Sequence, residues 1–470
     1  MSAALRDFLH YIEENEPKEL VRIHAPIDPN MFEANAIYKK LNDLGKWPAL
    51  LFENPKDLTG ARSEYNLLVG VTANQRKAEI ALGLKPGSRA DLVNEYLKRE
   101  SRTIKPVVVD KAEAPVKEVV MTGDAVNLAK MPVVRQHEMD GNPYFDTAVV
   151  AWDEEYGYNT SFQRMMYLDE NHTAFHAAPR HLWTYLQKWE SAGRALPMAI
   201  IIGHHPSFYM GALTLAPIDT DEYEVIGGVM KEPLRLVPSE AYGDRLLVPA
   251  DAEVIVEGEL LPNVRTMEGP FAEFTDYYGP QRLRWVFEVK AVTHRRNPIF
   301  MTHISGDQYQ EDYYIDIGKE AGVLRVVRNA APSAVAVAML GRGLAYNVVI
   351  SMKKRMEGEP MRAALAALGS RDHVKHVIVV DHDIDPWNLK EVMWAIAMRV
   401  QAGKDVTILR NLKGSPLDPS ADHELATDGM IIDATIPLNR PFEPVTNIPK
   451  KVLDRVNLEE YVNPDYLKAL

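Results

Sequence analysis

The sequence predicts a multidomain α/β protein with a strand-rich centre, and three observations carry that prediction. The chain has 470 residues, which is long for one hydrophobic core, so more than one domain is expected. Short apolar runs alternate with helix-period segments near both ends, the pattern of α/β units. Between about residues 125 and 303 strands predominate, which suggests a mostly antiparallel, barrel-like sheet.

Leu5, Phe8, Leu9 and Ile12 recur at helical spacing and open the chain with an amphipathic helix. A strand follows at 20–23, then a helix over 31–44, an apolar strand at 49–52 and a helix over 76–82. The segment 103–124, with Pro106 and Pro115, reads as the crossing into the central region. There, strands are predicted at 147–152, 199–202, 245–248, 253–257 and 283–293, with helices at 181–190 and 222–230. Leu283, Trp285, Phe287 and Val289 alternate with Arg284, Glu288 and Lys290, the period of a half-buried strand. A connecting helix is expected at 311–328. Beyond it, apolar runs at 334–339, 348–352 and 374–380 alternate with helices at 361–368 and 388–402. Asp385-Pro386 reads as the start of the latter helix, with Asp as N-cap and Pro in the first turn. A late helix is expected over 464–470. The domain division is then 1–110, 111–310, a linking helix at 311–330, and 331–470.

Composition narrows the function. With 46% hydrophobic and 25% charged residues the chain reads as an ordinary soluble protein. A formal net charge of −13 argues against nucleic acid as a partner. The absence of cysteine excludes disulfides, thiolate metal sites and a thiol nucleophile. No apolar run approaches membrane-spanning length, and Arg6, Asp7, Glu13 and Glu14 interrupt the first segment, so a cytoplasmic protein without membrane partners is expected. Dinucleotide and Walker fingerprints are missing; Gly341-Arg-Gly343 is too short and reads as a turn.

Two carboxylates, Glu268 and Glu273, flank the Gly269-Pro270 turn in Arg265-Thr-Met-Glu-Gly-Pro-Phe-Ala-Glu-Phe-Thr-Asp-Tyr-Tyr278, carried between two predicted strands. Read with Asn159-Thr-Ser-Phe-Gln-Arg164, with Arg180-His181 ahead of Trp189, and with Glu222-Tyr-Glu-Val-Ile-Gly227, this stretch resembles the UbiD family of reversible decarboxylases, which use prenylated FMN. The resemblance runs from Lys130-Met-Pro-Val-Val134 through Asp140-Gly-Asn-Pro-Tyr144 and Pro298-Ile-Phe300 to Asp383-Ile-Asp-Pro-Trp-Asn-Leu389 and Val392-Met-Trp394.

That resemblance implies a central split β-barrel similar to that of flavin reductases, a tail that packs on a neighbouring subunit, and a homodimer or higher homo-oligomer. It implies that a UbiX-type flavin prenyltransferase supplies the cofactor. Asn159, His181 and Glu222 match the family's ligands for a divalent cation such as Mn²⁺ lying against the flavin phosphate, with K⁺ as a further ion; Asp221 and Glu224 stand beside Glu222 as alternatives. Two oxygen ligands and one imidazole suit such a cation, which would neutralise a phosphate inside an acidic protein. Thr160, Ser161, Phe162, Gln163, Arg164, Arg180 and Lys353 complete the implied cofactor set, with Lys354 as the alternative to Lys353. Arg164, Glu268 and Glu273 match the family's catalytic network, in which Arg164 pairs with Glu268 and Glu273 gives a proton to carbon. Arg164 lies five residues past Asn159, so a regular strand would point the two to opposite faces unless a bulge or turn intervenes.

The implied activity is reversible non-oxidative decarboxylation of an aromatic, heteroaromatic or α,β-unsaturated carboxylic acid. Electrons left on the carbon need a sink that no side chain provides, so a cofactor is required. Two other classes fit the fold. A non-catalytic flavin-binding or assembly protein is opposed by the intact Arg164, Glu268 and Glu273, and a flavin reductase has no use for them. Phe274, His303, Tyr309 and residues 338–346 are candidates for the pocket wall.

Overall fold

The computed structural model of the chain describes residues 4–214, 216–306, 317–340, 344–371, 373–422 and 425–463. The expected pocket residue Tyr309, residues 341–343 and the late helix at 464–470 lie outside the described residues, as does the 311–316 part of the connecting helix. The remainder of that helix is Ile317–Ala330.

The helix Leu5–Asn15 buries Leu5, Phe8, Leu9 and Ile12, the face its spacing predicts. Strands Leu20–Ile23 and Ala49–Phe52 pair in parallel, and Ala49–Phe52 pairs antiparallel with Asn66–Val69. All four residues of Ala49–Phe52 are buried, so this strand reads as an apolar run rather than an alternation. Ile299–Met301 completes the sheet by pairing in parallel with Asn66–Val69. The Pro298-Ile-Phe stretch thus crosses from the end of the barrel into the N-terminal sheet. The helix Arg89–Glu100, absent from the expectations, begins in a capping box made by Ser88 and Asp91.

The centre is a closed six-strand barrel in the order Val254–Glu268, Leu196–Ile202, Tyr144–Asp153, Gly157–Asp169, His172–Phe175 and Arg282–His294, which pairs back onto Val254–Glu268. Closure removes free sheet edges over most of the ring. Phe145, Met165, Phe175, Trp285 and Phe287 belong to one buried core. Helices His181–Ser191 and Glu222–Met230 stand where the sequence places them.

The C-terminal sheet runs Ala334–Met339, Asn347–Met352, His376–Asp381, Ala426–Ala434 and Val406–Lys413. The helix expected at 388–402 is Leu389–Arg399, capped by Asn388, whose side chain accepts from Lys390 N. The helix therefore starts later than Asp385-Pro386 suggests. Asp385 instead accepts from Trp387 N at 3.0 Å, making a turn that delays the first helical residue. No helix among the described residues is long and apolar enough to cross a membrane.

Candidate active site

The strand Gly157–Asp169 carries both ends of the candidate site. Its register against Tyr144–Asp153 is unbroken, from Gly157 opposite Asp153 to Met166 opposite Tyr144. Neither a bulge nor a turn separates Asn159 from Arg164, so the regular alternation of the strand holds between them. At about 3.3 Å per residue the two lie roughly 16 Å apart, which suits an elongated ligand with an anionic end and a reactive end.

At the first end, Glu222 opens the helix Glu222–Met230, capped by Asp221. Its carboxylate is buried and accepts from Asn159 Nδ2 at 3.0 Å, Thr160 N at 2.6 Å and Thr160 Oγ1 at 3.2 Å. His181, the first residue of its own helix, brings Nδ1 to 3.4 Å from Glu222 Oε1. Burial pushes the Glu222 carboxyl upward, against the pull of His181 and Thr160. Asn159 Oδ1 is buried with no hydrogen-bond partner. An acceptor sealed from water without a donor costs stability unless something occupies its lone pairs. The residues therefore fit a cation: a buried carboxylate, an imidazole beside it and the orphaned oxygen of an amide that contacts the same carboxylate are the hard and borderline donors that Mn²⁺ or Mg²⁺ takes. Among the described residues no group of three or more His, Cys, Asp or Glu could hold a metal, so the amide oxygen is what completes this trio.

The intervening residues divide between packing and polar lining. Phe162 sets its ring edge-on to Tyr209 at 5.6 Å and to His303 at 5.8 Å. Gln163 Nε2 donates to Ser161 Oγ at 3.0 Å. Arg180 is an exposed helix N-cap residue beside His181. Lys353 is exposed just past Asn347–Met352, whereas Lys354 donates to Glu357 at 2.9 Å and to Thr435 at 3.0 Å.

At the second end, Arg164 Nε donates to Glu268 Oε1 at 3.0 Å, and Nη1 donates to Glu273 Oε1. All three side chains are nearly or fully buried. Glu268 ends the strand Val254–Glu268; Gly269 follows at φ 93°, a conformation that favours glycine, and cis-Pro270 leads into Phe271. The Phe271 ring lies 4.8 Å from the Arg164 guanidinium and 4.6 Å from the ring of Tyr144. The two acids differ in their partners. Glu268 Oε1 also accepts from Tyr144 Oη at 3.2 Å, so two donors hold its charge. Burial raises the Glu273 carboxyl; Arg164 opposes this, while Glu268 and Asp140 add to it. Burial disfavours the Arg164 charge, but Glu273 and Glu268 outweigh it and its affinity for the proton rises.

Two members of this end are missing from the motif reading. Tyr144 closes a quoted motif but reads as an ordinary core tyrosine until the fold turns it onto Glu268. His176 follows Phe175, which stands opposite both Met165 and Trp285, so register sets it between Arg164 and Arg284. Arg284 Nε donates to His176 Nδ1 at 2.9 Å. Burial, then Arg164 and Arg284, push this imidazole down to about 2, so it stays neutral.

Comparisons with known proteins identify the family. Residues 13–97, 107–308 and 312–434 match the N-terminal, Rift-related and C-terminal domains described for 3-octaprenyl-4-hydroxybenzoate carboxy-lyase. The chain is 35% identical to a phenolic acid decarboxylase of Sedimentibacter hydroxybenzoicus over 94% of this chain and 92% of that one. It is also 35% identical to an anhydromevalonate phosphate decarboxylase of Methanothermobacter thermautotrophicus, over 66% of this chain and 74% of that protein. The fold superposes on the UbiD-class enzyme HmfF of Pelotomaculum thermopropionicum in complex with FMN with a TM-score of 0.88 at 35% identity, covering 98% of this chain and all of that one. An evolved dimeric form of HmfF in complex with prenylated FMN gives 0.85 at 34% identity, covering 98% and 100% of the two chains. The chain belongs to the UbiD family of carboxy-lyases, and it is a decarboxylase of the class whose solved relatives bind FMN or prenylated FMN.

Proposed function

We propose that the protein reversibly decarboxylates an aromatic, heteroaromatic or α,β-unsaturated carboxylic acid, with Glu273 as the proton donor. The observation that carries this reading is the asymmetry around Arg164. One guanidinium bridges two buried carboxylates, and among the described residues only Glu268 has a second side-chain donor, Tyr144. Glu268 is the partner that holds Arg164 in place, and Glu273 is the acid whose affinity for a proton burial raises.

Asn159, His181 and Glu222 would hold a divalent cation such as Mn²⁺ against the cofactor phosphate, with K⁺ as an additional ion and Lys353 reaching toward the same phosphate. Prenylated FMN, supplied by a UbiX-type prenyltransferase, would provide the electron sink that the chain lacks. The chain's own residues do the rest. Arg164 orients the substrate carboxylate through charge-assisted hydrogen bonds. Phe271, Tyr144 and Phe162 keep water from the reacting carbon. When the bond to the carboxyl carbon breaks and CO₂ leaves, the proton on Glu273 passes to the carbon, and the resulting carboxylate is held beside Arg164 until it regains a proton. The reverse sequence begins with Glu273 taking that proton back.

A homodimer or larger homo-oligomer accords with this reading. Leu438, Val445, Ile448, Leu453, Leu458 and Tyr461 are exposed along the tail and have apolar surface to bury.

The deciding experiment is Glu273→Gln, made with a prenyltransferase present. Glutamine keeps the shape but has no proton to give, so CO₂ release and deuterium exchange at the product carbon in D₂O should both fall about 10²- to 10⁴-fold, with flavin retained. Exchange at the parent rate would remove Glu273 from the role.

A further inference from the structure

Asp140 takes no part in the chemistry described so far, although it opens one of the quoted motifs. Its side chain is buried. Oδ2 accepts from the backbone N–H groups of Gln136 at 3.1 Å and His137 at 2.7 Å. Oδ1 accepts from the backbone N–H of Ala272 at 3.0 Å. Ala272 immediately precedes Glu273, so one carboxylate joins the 136–140 turn to the loop that carries the acid.

The surrounding contacts make the junction tight. Gly141 N donates to Pro270 O at 2.9 Å, and a Cβ on Gly141 would collide with the carbonyl oxygen of Gly269. On its other side, Gln136 donates to His303 O at 2.9 Å and accepts from Ser305 N at 2.9 Å. Residues 136–141 are therefore wedged between the acid loop and the 303–305 segment.

Charge follows from the same contacts. Burial raises the Asp140 carboxyl, and the N–H groups of His137, Ala272 and Gln136 oppose that rise. Three donors converge on its oxygens, a nest that favours an anion and leaves an added proton without an acceptor. Around Glu273 stand Arg164 from the barrel, Glu268 from the preceding turn and Asp140 from the wedge. Tyr144 faces Glu268, His137 adjoins Asp140, and Arg135 donates to the Asp140 backbone oxygen at 2.8 Å. Arg164 thus serves two of these carboxyl groups, and Asp140 is held by backbone N–H groups instead. Glu268 and Asp140 both have donors other than Arg164 for their charge.

We propose that Asp140 is a positioning residue for the proton donor: it fixes the Phe271–Ala272 segment and sets a second negative charge beside Glu273, so that Glu273 keeps its proton until the substrate carbon takes it. The proposal rests on the reading of Glu273 as that donor.

Two substitutions separate the charge from the brace. Asp140→Asn removes the charge with little change of shape, and Asp140→Glu keeps the charge while displacing the loop. In the loaded enzyme the rate should fall at high pH as Glu273 loses its proton. Asp140→Asn should move that alkaline limb down by about one unit, while Asp140→Glu leaves it in place at a lower rate. A second readout uses the full-length protein without cofactor. The infrared band of the protonated Glu273 carboxyl, identified by its loss in Glu273→Gln, should titrate at lower pH in Asp140→Asn.

A limb and a band both unmoved in Asp140→Asn would overturn the proposal. So would a limb displaced in Asp140→Glu, including the case in which Asp140→Asn fails to fold. If instead Glu273→Gln keeps the alkaline limb, the donor reading fails, and the infrared titration still reports whether Asp140 acts on Glu273.

Discussion

Replacing Arg164 by methionine keeps much of the side chain's volume and removes the cation that, among the described residues, Glu268 and Glu273 share. The structure sets the size of the effect. The guanidinium is nearly buried, with two charge-assisted partners and the Phe271 ring at 4.8 Å. Removing one partner of such a network leaves uncompensated buried charge and costs about 3–5 kcal/mol. Because Tyr144 still donates to Glu268, Glu273 carries more of that cost. The pH dependence has a definite sign. Without Arg164 the folded-state affinity of the Glu273 carboxyl for a proton rises further above its unfolded value. The folded variant then binds more protons than the unfolded chain above the ordinary glutamate range, so its stability falls as pH rises and recovers on acidification. Urea unfolding followed by circular dichroism, repeated from acid to mildly alkaline pH, measures this directly. The variant Arg164→Met with Glu268→Gln and Glu273→Gln, in which no buried charge is orphaned, should regain more than half of the loss. A deficit below about 1 kcal/mol, or one independent of pH and not regained in the triple variant, would refute the buried-network argument.

At the other end of the strand, His181→Ala and Glu222→Ala should lose divalent cation and flavin together, read by elemental analysis and absorbance, because each ligand holds the ion that would hold the phosphate. Stoichiometric metal and flavin in either variant would contradict the assignment. Tyr144→Phe should cost about 1.5–3 kcal/mol of stability through the lost hydrogen bond to a charged group and slow turnover, measured by urea unfolding and CO₂ release. Lys353→Ala should weaken flavin retention with the melting temperature unchanged, whereas Lys354→Ala, which breaks the contacts to Glu357 and Thr435, should lower the melting temperature.

Apolar periodicity announced the elements that bury one face or both. Leu5–Asn15 and Ala49–Phe52 are of this kind. Val406–Lys413 was illegible for the converse reason: it is an edge strand whose residues are half-buried or exposed throughout, so no alternation marks it. Arg89–Glu100 did carry a signal, the Ser88-Arg-Ala-Asp91 capping box, which outweighs its weak amphipathic pattern. Ile299–Met301 is a short apolar strand, but adjacency in sequence does not encode which sheet a strand joins. The candidate site shows the same division. Arg164, Glu268 and Glu273 were legible as motif residues, whereas the roles of Tyr144 and His176 depend on cross-strand register, which no single stretch contains.

The spacing of Asn159 and Arg164 shows how far strand parity can be trusted. Five residues on an unbroken strand put the two side chains on opposite faces, and the register against Tyr144–Asp153 confirms that nothing shifts between them. The resolution lies in the other edge of the strand. His172–Phe175 pairs with it only from Met165 onward, so beside Asn159 and Thr160 that edge is open to the first turn of Glu222–Met230. Glu222 sits in the plane of the sheet, where it receives Thr160 N directly and the side chains of Asn159 and Thr160 from the two faces. Arg164 lies next to the doubly paired stretch, and its face is fixed by Met165 packing into the barrel core. A strand with one edge open and then closed can thus serve a ligand in its plane at one end and on one face at the other. Parity governs only the second.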